Sequence, residues 1–263
     1  MKRFFPLLSL MVTLCASPGL LAQVELSCEV QHKKYILFEP ILVKLTVRNT
    51  GPRPIALHEH GKTTARLSFE IKNSRGYPQD RTTRALLKEP VIVGSHEAEV
   101  IYTYINTAYL MNKVDSYRIS AGVRMGNTQY TSPRQFFDVY QGVEVQKLTT
   151  LEPHRVWSLR KLSRSNVGSF LFLRVDDGNG RVNYGVHALD RMVDAFDPQM
   201  IIDTRNRIHV LHRRSPKLFM HQVYTPEGQY DERSMYTLGF GEVGFRRDDR
   251  GNIRVSGVSK LKP

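Results

Sequence analysis

Hydrophobic and polar residues alternate with a period of two along much of the first half of the chain, the pattern of strands that bury one face. Ile41, Val43, Leu45 and Val47 alternate with Leu42, Lys44, Thr46 and Arg48, and the run stops at the turn residues Asn49-Thr50-Gly51-Pro52. Leu67, Phe69 and Ile71 form a second apolar face that ends at Asn73-Ser74-Arg75-Gly76. Val100, Tyr102 and Tyr104 form a third, and Tyr117, Ile119, Ala121 and Val123 a fourth. Short strands separated by turn signals predict a β-sandwich over residues 23–146.

From 147 to 263 the punctuation is more even. Turn signals recur at Asp177-Gly178-Asn179-Gly180, Asp203-Thr204-Arg205-Asn206, Pro226-Glu227-Gly228 and Asp248-Asp249-Arg250-Gly251. In three of them an Asp is followed four residues later by Arg or Asn and then by Val or Ile. These are Asp177 with Arg181 and Val182, Asp203 with Arg207 and Ile208, and Asp248 with Asn252 and Ile253. The step is about half the ~40–50 residues of a propeller blade, so two hairpins would make one four-stranded blade. The expected fold class is therefore all-β, a sandwich followed by an antiparallel meander of two blade-like units. Two blades cannot close a propeller, which leaves an open meander, a small sandwich or barrel, or closure through self-association. A single short helix is expected at Leu189–Phe196, with Asp190 and Asp194 one turn apart on a solvated face.

The stretch Tyr35–Ile55, with Glu39-Pro40 before its strand and Asn49-Thr50-Gly51 after it, resembles the opening strands of bacterial immunoglobulin-like domains. Asp115-Ser116-Tyr117-Arg118-Ile119 is similar to the strand that closes them. Macroglobulin-type modules and bacterial proteinase-inhibitor sandwiches share this outline, and Ile202–Leu211 followed by Tyr224-Thr225-Pro226-Glu227-Gly228 resembles a repeat of sugar-associated and sensor propellers. The cysteine pair and core tryptophan of antibody domains are absent. The resemblance implies a fold, and through the inhibitor sandwiches it raises protease inhibition as an alternative, through the basic segment Gly76–Pro90.

The start of the chain changes the compartment. Lys2 and Arg3 precede an apolar run from Phe4 to Ala16, and Ser17, Pro18 and Gly19 come before a small-residue cut at Ala22. This predicts a cleavable signal peptide over 1–22 and an exported protein, periplasmic or secreted. No later stretch reaches transmembrane length. Cys15 would leave with the signal and Cys28 would remain alone, so no internal disulfide is expected and stability rests on the core. Removing Lys2 and Arg3 takes the formal charge from +13 to +11. That surplus favours an acidic partner, and export directs the expectation to anionic lipid, an acidic glycan or another envelope component or protein, with no nucleic acid.

Candidate chemistry is sparse. His209 and His212 are three apart on a strand and so point to opposite faces, but His221 of a neighbouring strand can reach His209 if the register allows. With Asp203, these two histidines are the candidates for a metal-dependent hydrolase. His58 and His60 would share one face of an extended segment, where two ring nitrogens could meet a metal, with no third ligand identifiable. Trp157, beside Arg155 and Arg160, is a candidate ligand-stacking residue, although a core role is the more ordinary one. Gly239-Phe240-Gly241-Glu242-Val243-Gly244 matches a dinucleotide fingerprint literally, but no helix pattern follows it. No cofactor and no catalytic set is expected. The leading expectation is a non-catalytic exported protein that binds or scaffolds.

Overall fold

The alternating runs become strands, and where a facing sheet is available it takes their apolar side. The computed structural model describes residues 23–59, 64–151, 153–165, 167–179 and 182–261, and in it the chain is all-β apart from one helical turn, α1 (Ile105–Ala108). The expected signal at 1–22, His60 and Arg181 lie outside the described residues. No helix among the described residues is long and apolar enough to cross a membrane.

The N-terminal unit consists of β1 (Val24–Val30), β2 (Lys34–Ile36), β3 (Leu42–Asn49), β4 (Ile55–His58), β5 (Ala65–Asn73), β6 (Val91–Val93), β7 (Ala98–Tyr104), β8 (Asp115–Met125), β9 (Thr128–Thr131) and β10 (Gln135–Tyr140). An antiparallel sheet β1-β3-β7 and a larger sheet ordered β2-β10-β8-β5-β4-β6, with β9 added to β8, share one core. Val43, Leu45 and Val47 of β3 meet Leu67, Ile71, Ile119 and Val123 of β5 and β8, all at most 2% exposed. Cys28 is buried among them as a free thiol, and burial pushes its pKa up to about 12, so it packs as a small hydrophobe.

One apolar face is inverted. β7 pairs with β3 so that Ile101 lies opposite Leu45 and Thr103 opposite Val43, both facing the core, while Val100, Tyr102 and Tyr104 are 44–64% exposed. Thr103 compensates for its hydroxyl by donating to the carbonyl of Leu86 at 3.1 Å. The aromatic residues had the stronger hydrophobic signal, but the register with β3 decides which face is buried.

The C-terminal unit contains β11 (Val143–Leu151), β12 (His154–Arg164), β13 (Gly168–Asp176), β14 (Asn183–Met192), β15 (Gln199–Ile202), β16 (Ile208–Ser215), β17 (Leu218–Tyr224), β18 (Tyr230–Leu238), β19 (Gly244–Arg247), β20 (Ile253–Ser256) and β21 (Val258–Lys260). Two antiparallel meanders, β11-β12-β13-β14 and β15-β16-β17-β18 with β21 added, share a core around Trp157, Leu173, Val175, Val210 and Tyr224. β19 and β20 form a separate hairpin. The four turn signals read from the sequence are the connections β13–β14, β15–β16, β17–β18 and β19–β20. The expected helix at Leu189–Phe196 is absent, because β13 pairs with this segment as far as Met192. Local helix propensity loses to an open strand edge. Asp190 then pairs with Arg214, and Asp194 with Lys161, so the two carboxylates do not share a face.

The chain passes from the first unit to the second at Gln141-Gly142, and Lys147 lies within β11. Gly142 has φ +73°, and a Cβ there would lie 2.7 Å from Ile36 Cδ1. Gly142→Ala is therefore expected to cost roughly 1–2 kcal/mol, read as a lower urea midpoint; an unchanged midpoint would show that the junction yields without strain. Ile36 packs against Leu162 and Phe172 across this junction. Beside it the Arg164 guanidinium bonds Glu39 at 2.5 Å and the carbonyl of Lys34 at 3.1 Å, and both side chains are 9% exposed.

Candidate functional site

Two polar clusters are built into the C-terminal unit, one on each face of the sheet around β16 and β17. The first begins with the turn after β15. Asp203 caps that turn: its Oδ1 accepts from the amides of Arg205 and Arg207 at 2.8 and 2.9 Å, and its Oδ2 accepts from Arg207 Nε at 2.8 Å. The turn before β20 repeats this, with Asp248 accepting from the amides of Arg250 and Asn252. Their shared spacing is thus turn chemistry, a carboxylate tying down the amides two and four residues on.

Asp203 also begins a chain of imidazoles. His209 Nε2 lies 3.1 Å from Asp203 Oδ2, and His209 Nδ1 lies 2.9 Å from His221 Nε2. An ionised Asp203 takes the Nε2–H of His209, which leaves Nδ1 to accept the Nε2–H of His221. Burial alone would raise the Asp203 pKa, but the hydrogen bonds from Arg207 and His209 bring it below the usual carboxylate range. Burial lowers His209, offset in part by Asp203, and burial with the neighbouring His209 takes His221 down to about 4. The structure therefore unites the three residues singled out for a metal-dependent hydrolase, but their nitrogens bond one another and do not converge. No group of three or more His, Cys, Asp or Glu among the described residues is placed to hold a metal ion.

The other sequence candidates are dispersed. Trp157 is fully buried in the core of the second unit. Arg155 stacks over the Tyr184 ring at 3.6 Å, and Arg160, on the opposite face of β12, bonds Ser158 and Glu144. His58 ends β4, and Glu59 between the two histidines turns inward. Glu59 also fastens the segment 76–90: its carboxylate accepts from the amides of Leu86 and Leu87 and pairs with Arg81. Leu86 and Leu87 are buried in the first core, so that segment is held down along part of its length. The glycine-rich segment 239–244 leads into strand β19.

The second cluster was not visible in the sequence. A cleft of about 470 Å³ opens between the two units, walled on one side by His32, Glu39, Pro40 and Tyr104 and on the other by Arg164, Phe170, Asp190, Gln222 and Arg233. β14 carries an extra residue between Ala188 and Asp190, a β-bulge, and Asp190 has φ +118°. This strained backbone is a departure of the kind that clusters at functional sites. At the cleft floor, Gln222 is 6% exposed and its Oε1 has no hydrogen-bond partner among the described residues. His212 is fully buried, and neither ring nitrogen has a partner among the described residues. Burial takes His212 down to about 4, with Asp190 opposing and Arg233 and Arg214 reinforcing the shift.

The charges of the cleft are unbalanced. Glu39 is matched by Arg164 and Asp190 by Arg214, at 2.5 and 3.0 Å. Arg233 contacts Met220 Sδ at 3.4 Å and has no carboxylate partner among the described residues. Burial and the charge of Arg164 lower the His32 pKa, which keeps that imidazole neutral near pH 7. The cleft therefore offers one unmatched cation, one unmatched buried acceptor and the rings of Tyr104 and Phe170.

No protein family matches the chain, and no curated protein is significantly similar to it.

Proposed function

We propose that this is an exported, non-catalytic binding protein of the cell envelope whose ligand, an acidic sugar, occupies the cleft between the immunoglobulin-like N-terminal unit and the blade-like meanders. The observation that carries the reading is the Gln222 carbonyl oxygen, buried in the cleft floor with nothing among the described residues to accept from. A buried acceptor left unmade costs about 1–3 kcal/mol, a cost that a ligand hydroxyl would remove. A sugar carboxylate suits the unmatched Arg233 guanidinium, and the apolar faces of a sugar ring suit Tyr104 and Phe170. Export is supported by residues 1–22, and an acidic ligand also suits an exported chain whose formal charge is +11 once Lys2 and Arg3 are removed.

The test is calorimetric titration with glucuronate and galacturonate, with glucose as the uncharged control. Saturable heat with the uronates and little with glucose is expected. Arg233→Ala should weaken uronate binding roughly tenfold or more, as loss of a charge-assisted hydrogen bond does. Gln222→Ala should weaken it less. Absence of uronate binding, or equal binding of glucose, would overturn the ligand assignment.

A further inference from the structure

Phe240 is completely exposed, as no other large hydrophobic residue described here is. It stands between Gly239 and Gly241 in the loop from β18 to β19. Gly241 has φ +93°, and a Cβ there would meet nothing within 4 Å, so the loop projects into open space. Leu238 at its base is 53% exposed. Phe and Leu presented together on a loop lose solvation free energy unless something covers them.

The surroundings indicate what covers them. The amide of Leu238 donates to the carbonyl of Lys217 at 3.3 Å, and that of Gly239 to Gly257 at 2.9 Å. The loop therefore lies at the end of the sheet where β16 turns into β17 through Arg213-Arg214-Ser215-Pro216-Lys217, and where β21, carrying Lys260, begins. Arg214 is matched by Asp190, whereas Arg213, Lys217 and Lys260 have no carboxylate partner among the described residues. Glu242 is the one acid in the loop itself. An aromatic tip with a surplus of cations beside its base has the chemistry of a peripheral membrane contact, with the ring below the headgroups and the cations among them.

We propose that the loop 239–243 docks this protein on an anionic bilayer surface through Phe240 and Leu238, with Lys217 and Lys260 at the headgroups. This contact is independent of the cleft and does not require a ligand in it.

The full-length Phe240→Trp variant reads the loop directly, because Trp157 is buried and supplies a constant background. Mixed phosphatidylglycerol–phosphatidylcholine vesicles should shift the added emission to the blue and allow bromolipid quenching. Phosphatidylcholine vesicles alone, or high salt, should not. Lys217→Glu combined with Lys260→Glu in the same variant should reduce the partition at least tenfold. A tip emission unchanged by anionic vesicles overturns the proposal, even if the chain sediments with them through another segment. An equal shift on neutral vesicles overturns the part assigned to the lysines, and a shift produced only by a protein partner overturns the assignment of a bilayer.

Discussion

Glu59→Ala is expected to lower the stability of the N-terminal unit by about 3–5 kcal/mol, which for a domain of this size is a large part of the total. The Glu59 side chain is fully buried and three groups depend on it: the amides of Leu86 and Leu87, the latter at 2.8 Å, and the Arg81 guanidinium. Removing it leaves two buried N–H groups without acceptors and releases the segment that carries Leu86 and Leu87 into the core. Glu59→Gln keeps an oxygen for the amides and loses only the charge facing Arg81, which is one-third exposed, so it should cost clearly less. Urea unfolding followed by far-ultraviolet circular dichroism measures both variants, and Trp157 fluorescence separates the units because that residue reports only the second. A loss below about 1 kcal/mol for Glu59→Ala, or a shift confined to the Trp157 signal, would falsify this account.

The same residue shows how much the chain disclosed of itself. As part of His58-Glu59-His60 it drew attention to the histidines on either side, yet it is the acid that the fold uses. Sequence neighbours carry no information about which side chain turns inward at the end of β4. Strands β3, β5 and β8 were legible because a sheet covers one face and their hydrophobic residues fall on it in phase. β7 was misread because it carries two apolar-looking faces, and only its register against β3 selects Ile101 and Thr103 over Tyr102 and Tyr104. The hairpin turns were legible because Asp203 and Asp248 do their work within four residues. From there the pairing of His209 with His221 depends on the alignment of β16 with β17, which a bulge between Arg213 and Ser215 shifts. The cleft was not legible at all. Its walls come from residues near 32–40, 104, 164–190 and 222–233, and docking of the two units, through Gly142 and the Arg164–Glu39 pair, brings them together.

Lowering the pH from 7 to 4 is expected to destabilise the C-terminal unit by several kcal/mol, because its buried histidines fold as neutral imidazoles. In the unfolded chain His212 and His221 titrate near 6.5; in the fold burial holds both near 4. Their contribution is complete above pH 6.5. Below it the unfolded state binds protons that the folded state refuses, so stability falls until the folded pKa is passed. A displacement of this size corresponds to about 3 kcal/mol for each group, and His209, shifted in the same direction, adds to it. The lowered pKa of Asp203 acts in a more acidic window, since a carboxylate loses its contribution only as the pH falls through the carboxylate range. His212→Leu distinguishes this cause from general acid unfolding. The substitution removes a buried ring whose two nitrogens have no partner among the described residues, so it should be close to neutral or stabilising at pH 7. At pH 4.5, where the wild type already carries most of the penalty, the variant should be the more stable by about 2–3 kcal/mol in urea unfolding followed by Trp157. Equal pH dependence in the two proteins would mean that His212 takes up its proton alike in the folded and the unfolded chain, and the acid sensitivity would then belong to the Asp203–His209–His221 chain alone.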